Sequence, residues 1–289
     1  METSELLKKV RQIEIKTRGL SRDIFAGEYH SAFKGRGMTF AEVREYQYGD
    51  DIRSIDWNVT ARFNHPYVKI FEEERELTVM LLIDVSGSCE FGSGTALKQS
   101  IIAEIAAVLA FSAIQNNDKI GVIFFSDRIE KFIPPQKGRK HILYIIRELL
   151  DFKPQSRLTN ISVALRYFTN VMKKRCTAFV ISDWINENDF EHALLIASKK
   201  HDLACIRLYD ARDAELPAIG WIKLKDAESG EEVLIDTNDR RLLMLFRNKW
   251  EEQCAMQNTI LTRYGIDHVA IEAQADYVKA LIGFFKSRK

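Results

Sequence analysis

From position 77 the chain reads Leu-Thr-Val-Met-Leu-Leu-Ile, one continuous apolar run that stops at Asp84. A run without polar alternation is what a strand buried on both faces of a parallel sheet requires. A glycine-rich loop follows over residues 87 to 94. Ile101, Ile105, Val108 and Ile102, Ala106, Leu109, Ala113 then recur at helical spacing within residues 96 to 115. Strand, loop and helix make a first βα unit, and the rhythm repeats. Further strands are predicted over residues 119 to 126, 128 to 133 (ending before Pro134-Pro135), 176 to 182, 203 to 209 and 268 to 271. Helices are predicted near 138 to 151, 161 to 173, 189 to 200 and 275 to 286. The series predicts an α/β fold built on a doubly wound, mostly parallel sheet with right-handed crossovers.

Two stretches stand outside this rhythm. Between 211 and 266 the pattern predicts a hairpin, residues 221 to 224 and 233 to 236 around Ser229-Gly230, and then a long helix over 238 to 264. In that helix Leu243, Phe246, Trp250, Cys254, Leu261 and Tyr264 share a face that must pack on something. Ahead of the first strand, residues 4 to 18 form a modest amphipathic helix. Residues 33 to 76 are rich in glycine, aspartate, arginine and aromatics without periodicity, which reads as ordered irregular structure with short strands, one near 68 to 71. The expected organisation is an N-terminal extension, 1 to 76; an α/β domain, 77 to 210 and 267 to 289; and an insertion, 211 to 266.

Composition narrows the class of partner. With 46% hydrophobic and 29% charged residues the chain has the make-up of a globular protein with a sizeable core. Its 42 basic and 41 acidic residues nearly cancel, which removes an overall electrostatic case for nucleic acid or a membrane surface. The basic residues between Lys8 and Arg18 are broken by Glu14 and lack interleaved aromatics, so they read as a solvated helix face. The N-terminus has no signal-peptide pattern. The longest apolar run, 101 to 114, is interrupted by Glu104 and Ser112 and is too short to span a bilayer. Cys89, Cys176, Cys205 and Cys254 are far apart, as expected of reduced thiols. The expectation is a soluble, cytoplasmic protein.

In an open parallel sheet, ligands gather outside the carboxyl ends of the strands. Three segments bring oxygen donors there: Asp84, Ser86 and Ser88 after the first strand, Thr159 before a helix, and Asp183 at the end of the strand closing at Ser182. Carboxylates mixed with hydroxyls make a hard-oxygen set suited to Mg2+ or Mn2+. With at most two protein charges on it, such an ion stays electrophilic enough to take an Asp or Glu carboxylate from a partner. The same residues also suit plain capping of free amides in a strand-to-helix loop.

Asp84-Val-Ser-Gly-Ser88 after an apolar strand, Thr159 in a loop and Ile181-Ser-Asp183 ending a later strand resemble the metal-ion-dependent adhesion site of von Willebrand factor A domains. That resemblance implies that Asp84, Ser86, Ser88, Thr159 and Asp183 contribute to a metal shell directly or through water. A second resemblance spans nearly the whole chain. The stretch from Arg36-Gly-Met-Thr-Phe through Tyr46-Gln-Tyr-Gly-Asp-Asp-Ile-Arg-Ser-Ile-Asp-Trp57 to Arg62, and then Glu72-Glu-Glu-Arg-Glu-Leu-Thr-Val to Asp84, resembles the bacterial family called domain of unknown function 58. Its members often accompany MoxR-type AAA+ ATPases, which implies such an ATPase as partner and an adaptor or assembly role. Where members usually carry methionine this chain has Cys89, and Ser156-Arg-Leu stands where glycines commonly precede the threonine.

Other chemistries fit less well. Val85-Ser-Gly-Ser is not a nucleophile elbow, and none of the six histidines lies close in sequence or in a His-x-x-x-His pair. The loop from Gly87 to Gly94 lacks the lysine after Gly92 that would reach phosphates. Asp50, Asp51, Arg53, Asp56 and Trp57 concentrate charge and aromatics and read either as a second functional surface or as an internal network of ion pairs and packing joining the lobes. The expectation is a non-enzymatic, metal-dependent protein-binding module; the alternative is a metal-dependent hydrolase that uses the same ion to activate water.

Overall fold

The computed structural model describes residues 11, 13, 39–72, 77–90, 98–185, 189–228 and 230–288. Of the helix expected over 4 to 18, Arg11 and Ile13 are helical and the remainder lies outside the described residues. The chain divides into two compact units, residues 33–77 and the rest.

In the smaller unit, strand β1 (Thr39–Glu45) pairs antiparallel with β2 (Tyr67–Glu72), with an irregularity between Phe40 and Glu42. Between them lies helix α1 (Trp57–Phe63), which the aperiodic sequence did not announce. It forms because Asp56 caps it, accepting from the amides of Asn58 and Val59, and because Asn64 ends it in the left-handed conformation at φ 56°. The acidic cluster of this region works locally. Asp50 takes both guanidinium nitrogens of Arg44 at 2.9 and 2.7 Å, Asp51 caps the turn at Arg53, and Asp56 pairs with Lys69 at 3.5 Å.

The larger unit holds a six-stranded sheet. In chain order its elements are β3 (Thr78–Asp84), α2 (Lys98–Gln115), β4 (Lys119–Phe125), β5 (Ile129–Gln136), α3 (Arg139–Asp151), α4 (Ile161–Val171), β6 (Thr177–Ser182), α5 (Glu191–Lys200) and β7 (Asp202–Tyr209). The insertion adds a hairpin of β8 (Trp221–Lys225) and β9 (Glu232–Asp236), then α6 (Arg240–Arg263). β10 (Asp267–Glu272) and α7 (Tyr277–Ser287) close the unit. The strand order is β10-β7-β6-β3-β4-β5, parallel except for the antiparallel edge strand β5. One expectation is corrected here: β5 does not stop at Ile133 but runs through Pro134 and Pro135 to Gln136. Proline is tolerated there because an edge strand has one row of amides with no ladder partner.

Side-chain alternation along the central strands divides the core in two. Met80, Leu82, Ile123, Phe125, Ala178, Val180, Leu203 and Cys205 point to one face, covered by α4, α5 and the end of α6 through Leu165, Phe168, Leu194 and Leu261. The alternate residues Leu81, Ile83, Phe124, Phe179 and Ile181 are equally buried. On their side Phe179 meets Phe285 of α7 at 6.0 Å between ring centres. Helix α2 is long and apolar enough to cross a bilayer by length and composition, with mean hydropathy 1.2. Here its residues from Ile101 to Ala113 are buried apart from Glu104, as expected of a core helix that is apolar all round.

Helix α6 is asymmetric. Its C-terminal end enters the core at Gln257, Ile260 and Leu261, while Leu243, Phe246, Trp250 and Cys254 are only half-buried, Trp250 against Tyr209 at 5.9 Å. Leu234 of the hairpin and Met244 and Leu245 of the helix stand exposed.

Candidate functional site

The sheet's direction changes at its centre. From β3 the chain moves outward to β4 and β5, then returns to place β6 on the other side of β3 before moving on to β7 and β10. The loops after β3 and β6 therefore part in opposite directions and leave a crevice at the carboxyl ends of these two strands. Asp84 is the last residue of β3, and Asp183 follows the last residue of β6. Their side-by-side position follows from the register, in which Ile83 pairs with Ile181.

Both carboxylates are buried, at 1% and 2% exposure. Asp84 accepts the Ser86 amide on Oδ1 at 2.9 Å and the Ser182 hydroxyl on Oδ2 at 2.6 Å. Ser182 Oγ accepts in turn from the Trp184 amide at 2.9 Å, so one hydroxyl ties both strand ends together. The Ser86 and Ser88 hydroxyls lie 3.1 Å apart. Asp183 Oδ1 accepts the Ile185 amide at 3.1 Å, while Oδ2 is buried without a hydrogen-bond partner. Burial first, and the charge of Asp183 second, push the Asp84 carboxyl up from 3.8 to about 7, against the hydrogen bonds from Ser182 and Ser86. Burial raises Asp183 too, opposed by Lys98 and Ser88.

Lys98 opens α2 and is 1% exposed. Its ammonium lies 2.6 Å from Asp213 and 3.6 Å from Asp183. Burial would lower its affinity for the proton, but Asp183 and Asp213 outweigh that and hold it above its ordinary value. Thr159, 4% exposed, is carried to the crevice by a loop whose Arg157 carbonyl accepts the Gly87 amide at 3.0 Å. Its hydroxyl donates to Glu228 Oε1, in the turn of the inserted hairpin, at 2.6 Å.

Trp184 is held in the left-handed region at φ 61°, a conformation that costs a bulky residue about 1–3 kcal/mol and persists only where surroundings enforce it. Its ring is buried against Phe190 at 5.5 Å, and Gln257 of α6 donates to its carbonyl while accepting from Arg207 at 2.6 Å. The strained residue beside Asp183 is thus fixed from both sides.

The arrangement assembles Asp84, Ser86, Ser88 and Asp183 into one buried polar cluster and places Thr159 at its border. Among the described residues no three His, Cys, Asp or Glu side chains form a cation cage, so the donors are two carboxylates plus hydroxyls. Asp84, Asp183, Asp213 and Glu228 against the Lys98 ammonium, all ionised, leave three negative charges, which a divalent cation would largely offset. Asp183 Oδ2, which accepts no hydrogen bond and has only the Lys98 ammonium at 3.6 Å, has lone pairs to offer it. The donor set therefore fits a hard divalent ion.

The family model described as "Protein of unknown function DUF58" matches residues 42–259. This chain belongs to the DUF58 family. The chain is 28% identical over 232 residues to the uncharacterized protein Rv1480 of Mycobacterium tuberculosis, covering 80% of this chain and 73% of that protein. It is also 28% identical to the uncharacterized protein YeaD of Bacillus subtilis over 109 residues, 38% of this chain and 25% of that one. Among solved structures it resembles the conserved hypothetical protein BatB of Bacteroides thetaiotaomicron at TM-score 0.51 and 17% identity, over 73% of this chain and 98% of BatB. It resembles an aerotolerance-related membrane protein of Bacteroides fragilis at TM-score 0.50 and 16% identity, over 73% and 99% of the two chains. At these identities the likeness concerns the fold alone.

Four members of the cluster were not singled out in the sequence: Ser182, Lys98, Asp213 and Glu228. Lys98 did leave a signal, a charge in phase with the helical stripe of Ile101, Ile102 and Ile105. The histidines with described contacts serve structure: His141 meets the Ile120 carbonyl, His268 the Ile266 carbonyl, and His201 the Cys176 thiol. All four cysteines are free, and burial pushes the Cys176 thiol up to about 12, so it stays protonated and inert.

Proposed function

We propose that this chain is a metal-dependent protein-binding module. Mg2+ or Mn2+ would be held by Asp84, Ser86, Ser88, Thr159 and Asp183 in the manner of a von Willebrand factor A adhesion site. When bound, the ion supplies an open coordination position for an Asp or Glu carboxylate of a partner. The observation that carries this is the pair of buried carboxylates at the sheet's switch point, one of them with an oxygen that accepts no hydrogen bond and faces the Lys98 ammonium at 3.6 Å. Two buried acids side by side cost stability unless a cation or proton compensates them. An arrangement maintained with strain at Trp184 and a hydroxyl tie at Ser182 is one that serves a ligand. The chain's own residues then have separable tasks. Ser182 orients Asp84, Lys98 limits the net charge beside Asp183, and Trp184 fixes the strand end.

A MoxR-type AAA+ ATPase is the proposed partner, by resemblance to DUF58 proteins, and the cytoplasm the proposed location, supported by the free thiols. Among the described residues no histidine is hydrogen-bonded to Ser86 or Ser88, which leaves a serine nucleophile without an imidazole base. Calorimetric titration of the purified chain with Mn2+ tests the first step. Saturable one-site binding is expected, absent in Asp84→Ala. Equal uptake by Asp84→Ala would overturn the proposal. Co-purification with the ATPase is then expected with Mg2+ and not with EDTA, and capture unaffected by the chelator would refute the bridging role.

A further inference from the structure

The tip of the inserted hairpin lies on the serine loop. A Cβ added at Gly87 would meet the Ala227 carbonyl oxygen at 2.4 Å and Arg157 Cβ at 3.1 Å, so the turn's backbone is packed against the loop that carries Ser86 and Ser88. The turn is well built. Asp226 Oδ1 accepts the Glu228 amide at 2.8 Å, the Asp226 carbonyl accepts the Gly230 amide at 3.0 Å, and Gly230 adopts φ 75°. Behind it the ladder runs unbroken from Lys225↔Glu232 to Trp221↔Asp236. This turn carries Glu228, whose carboxylate accepts from Thr159 at 2.6 Å and lies near enough to Asp183 for the two charges to repel. A third carboxylate brought toward two buried ones is unfavourable on its own. It becomes favourable when a divalent cation lies among them, and a carboxylate arriving from outside the sheet is what the proposed site is built to take.

We propose that Glu228 is the chain's own occupant of this site: the hairpin tip takes the place of the partner's carboxylate, and a partner binds by displacing it. The inference rests on the metal-binding reading above and deepens it. The insertion is thereby a plug on the crevice, and the site's affinity for external acids is set by how often the plug is out.

The test uses the full chain loaded with Mn2+, with acetate as the probe carboxylate. Water-proton relaxation counts exchangeable waters on the bound ion, and amide exchange at Glu228 and Gly230 follows the turn. Glu228→Gln keeps an acceptor for Thr159 and removes the charge; Glu228→Ala removes both. In both variants Mn2+ stays bound with higher relaxivity, and acetate lowers it at concentrations about tenfold below those the parent chain needs, as for a site plugged about nine-tenths of the time. In the parent chain, saturating acetate speeds amide exchange in the turn. Unchanged relaxivity and acetate response in both variants overturn the inference while leaving the metal site intact. Failure of the parent and both variants to bind Mn2+ overturns the metal-binding reading, and the inference with it.

Discussion

Replacing Asp84 by asparagine removes one buried charge and almost no volume. The folded-state pKa of Asp84 is raised above its unfolded value, so this group contributes no penalty at acid pH and its full penalty once pH has risen through about 7. The rise from 3.8 to about 7 corresponds to about 4 kcal/mol against the metal-free fold at pH 8, at about 1.4 kcal/mol per unit. The amide can still accept the Ser86 N–H. It cannot accept equally well from Ser182, whose hydroxyl must also serve the Trp184 amide, a loss of about 1 kcal/mol. Asp84→Asn should therefore be more stable than the parent chain in EDTA at pH 8 by about 2–3 kcal/mol, or roughly 5–10 °C in Tm. Mg2+ at about 100 times its Kd should add about 2.7 kcal/mol to the parent and nothing to the variant. Urea denaturation with and without Mg2+ reads both numbers. A variant less stable than the parent in EDTA, or equal Mg2+ stabilisation of the two, would refute the reasoning.

Other positions give independent checks. Ser182→Ala leaves the buried Trp184 amide without an acceptor and should cost about 1–3 kcal/mol in urea denaturation; a neutral result would show that the tie between the strand ends does not matter. Burial lowers His201 from 6.5 to about 4, so stability present above pH 6.5 is lost as pH falls toward 4. The full shift would be about 3 kcal/mol, taken as about 2 because the residue sits at a helix end, and His201→Asn should flatten the urea-midpoint profile over that window. Gly121→Ala would set a Cβ 2.8 Å from Met80 Sδ and Pro135 N and 2.9 Å from the Ile133 carbonyl, and overpacking should cost about 1–3 kcal/mol in thermal denaturation.

The sheet was legible because its strands are written locally: the apolar run ending at Asp84 and the helical recurrence from Ile101 to Ala113 need no tertiary context. The extent of β5 was not, since two prolines ordinarily end a strand and only its place at the sheet edge makes them tolerable. Asp84 and Asp183 were marked by their position at strand ends. Ser182 was not, because its role depends on the register between β3 and β6, which no local pattern encodes. Glu228 was equally hidden, 69 residues from the threonine it meets. Helix α1 is held by its caps rather than by an apolar stripe, so periodicity passed over it.

The prolines of β5 have a consequence for assembly. Pro134 and Pro135 form a bulge in which two residues of β5 stand opposite Gly121 of β4, and neither has an amide to donate. A bulge and two missing donors on this edge disfavour growth of the sheet from that flank. The opposite margin at β10 carries no proline and keeps its full row of donors.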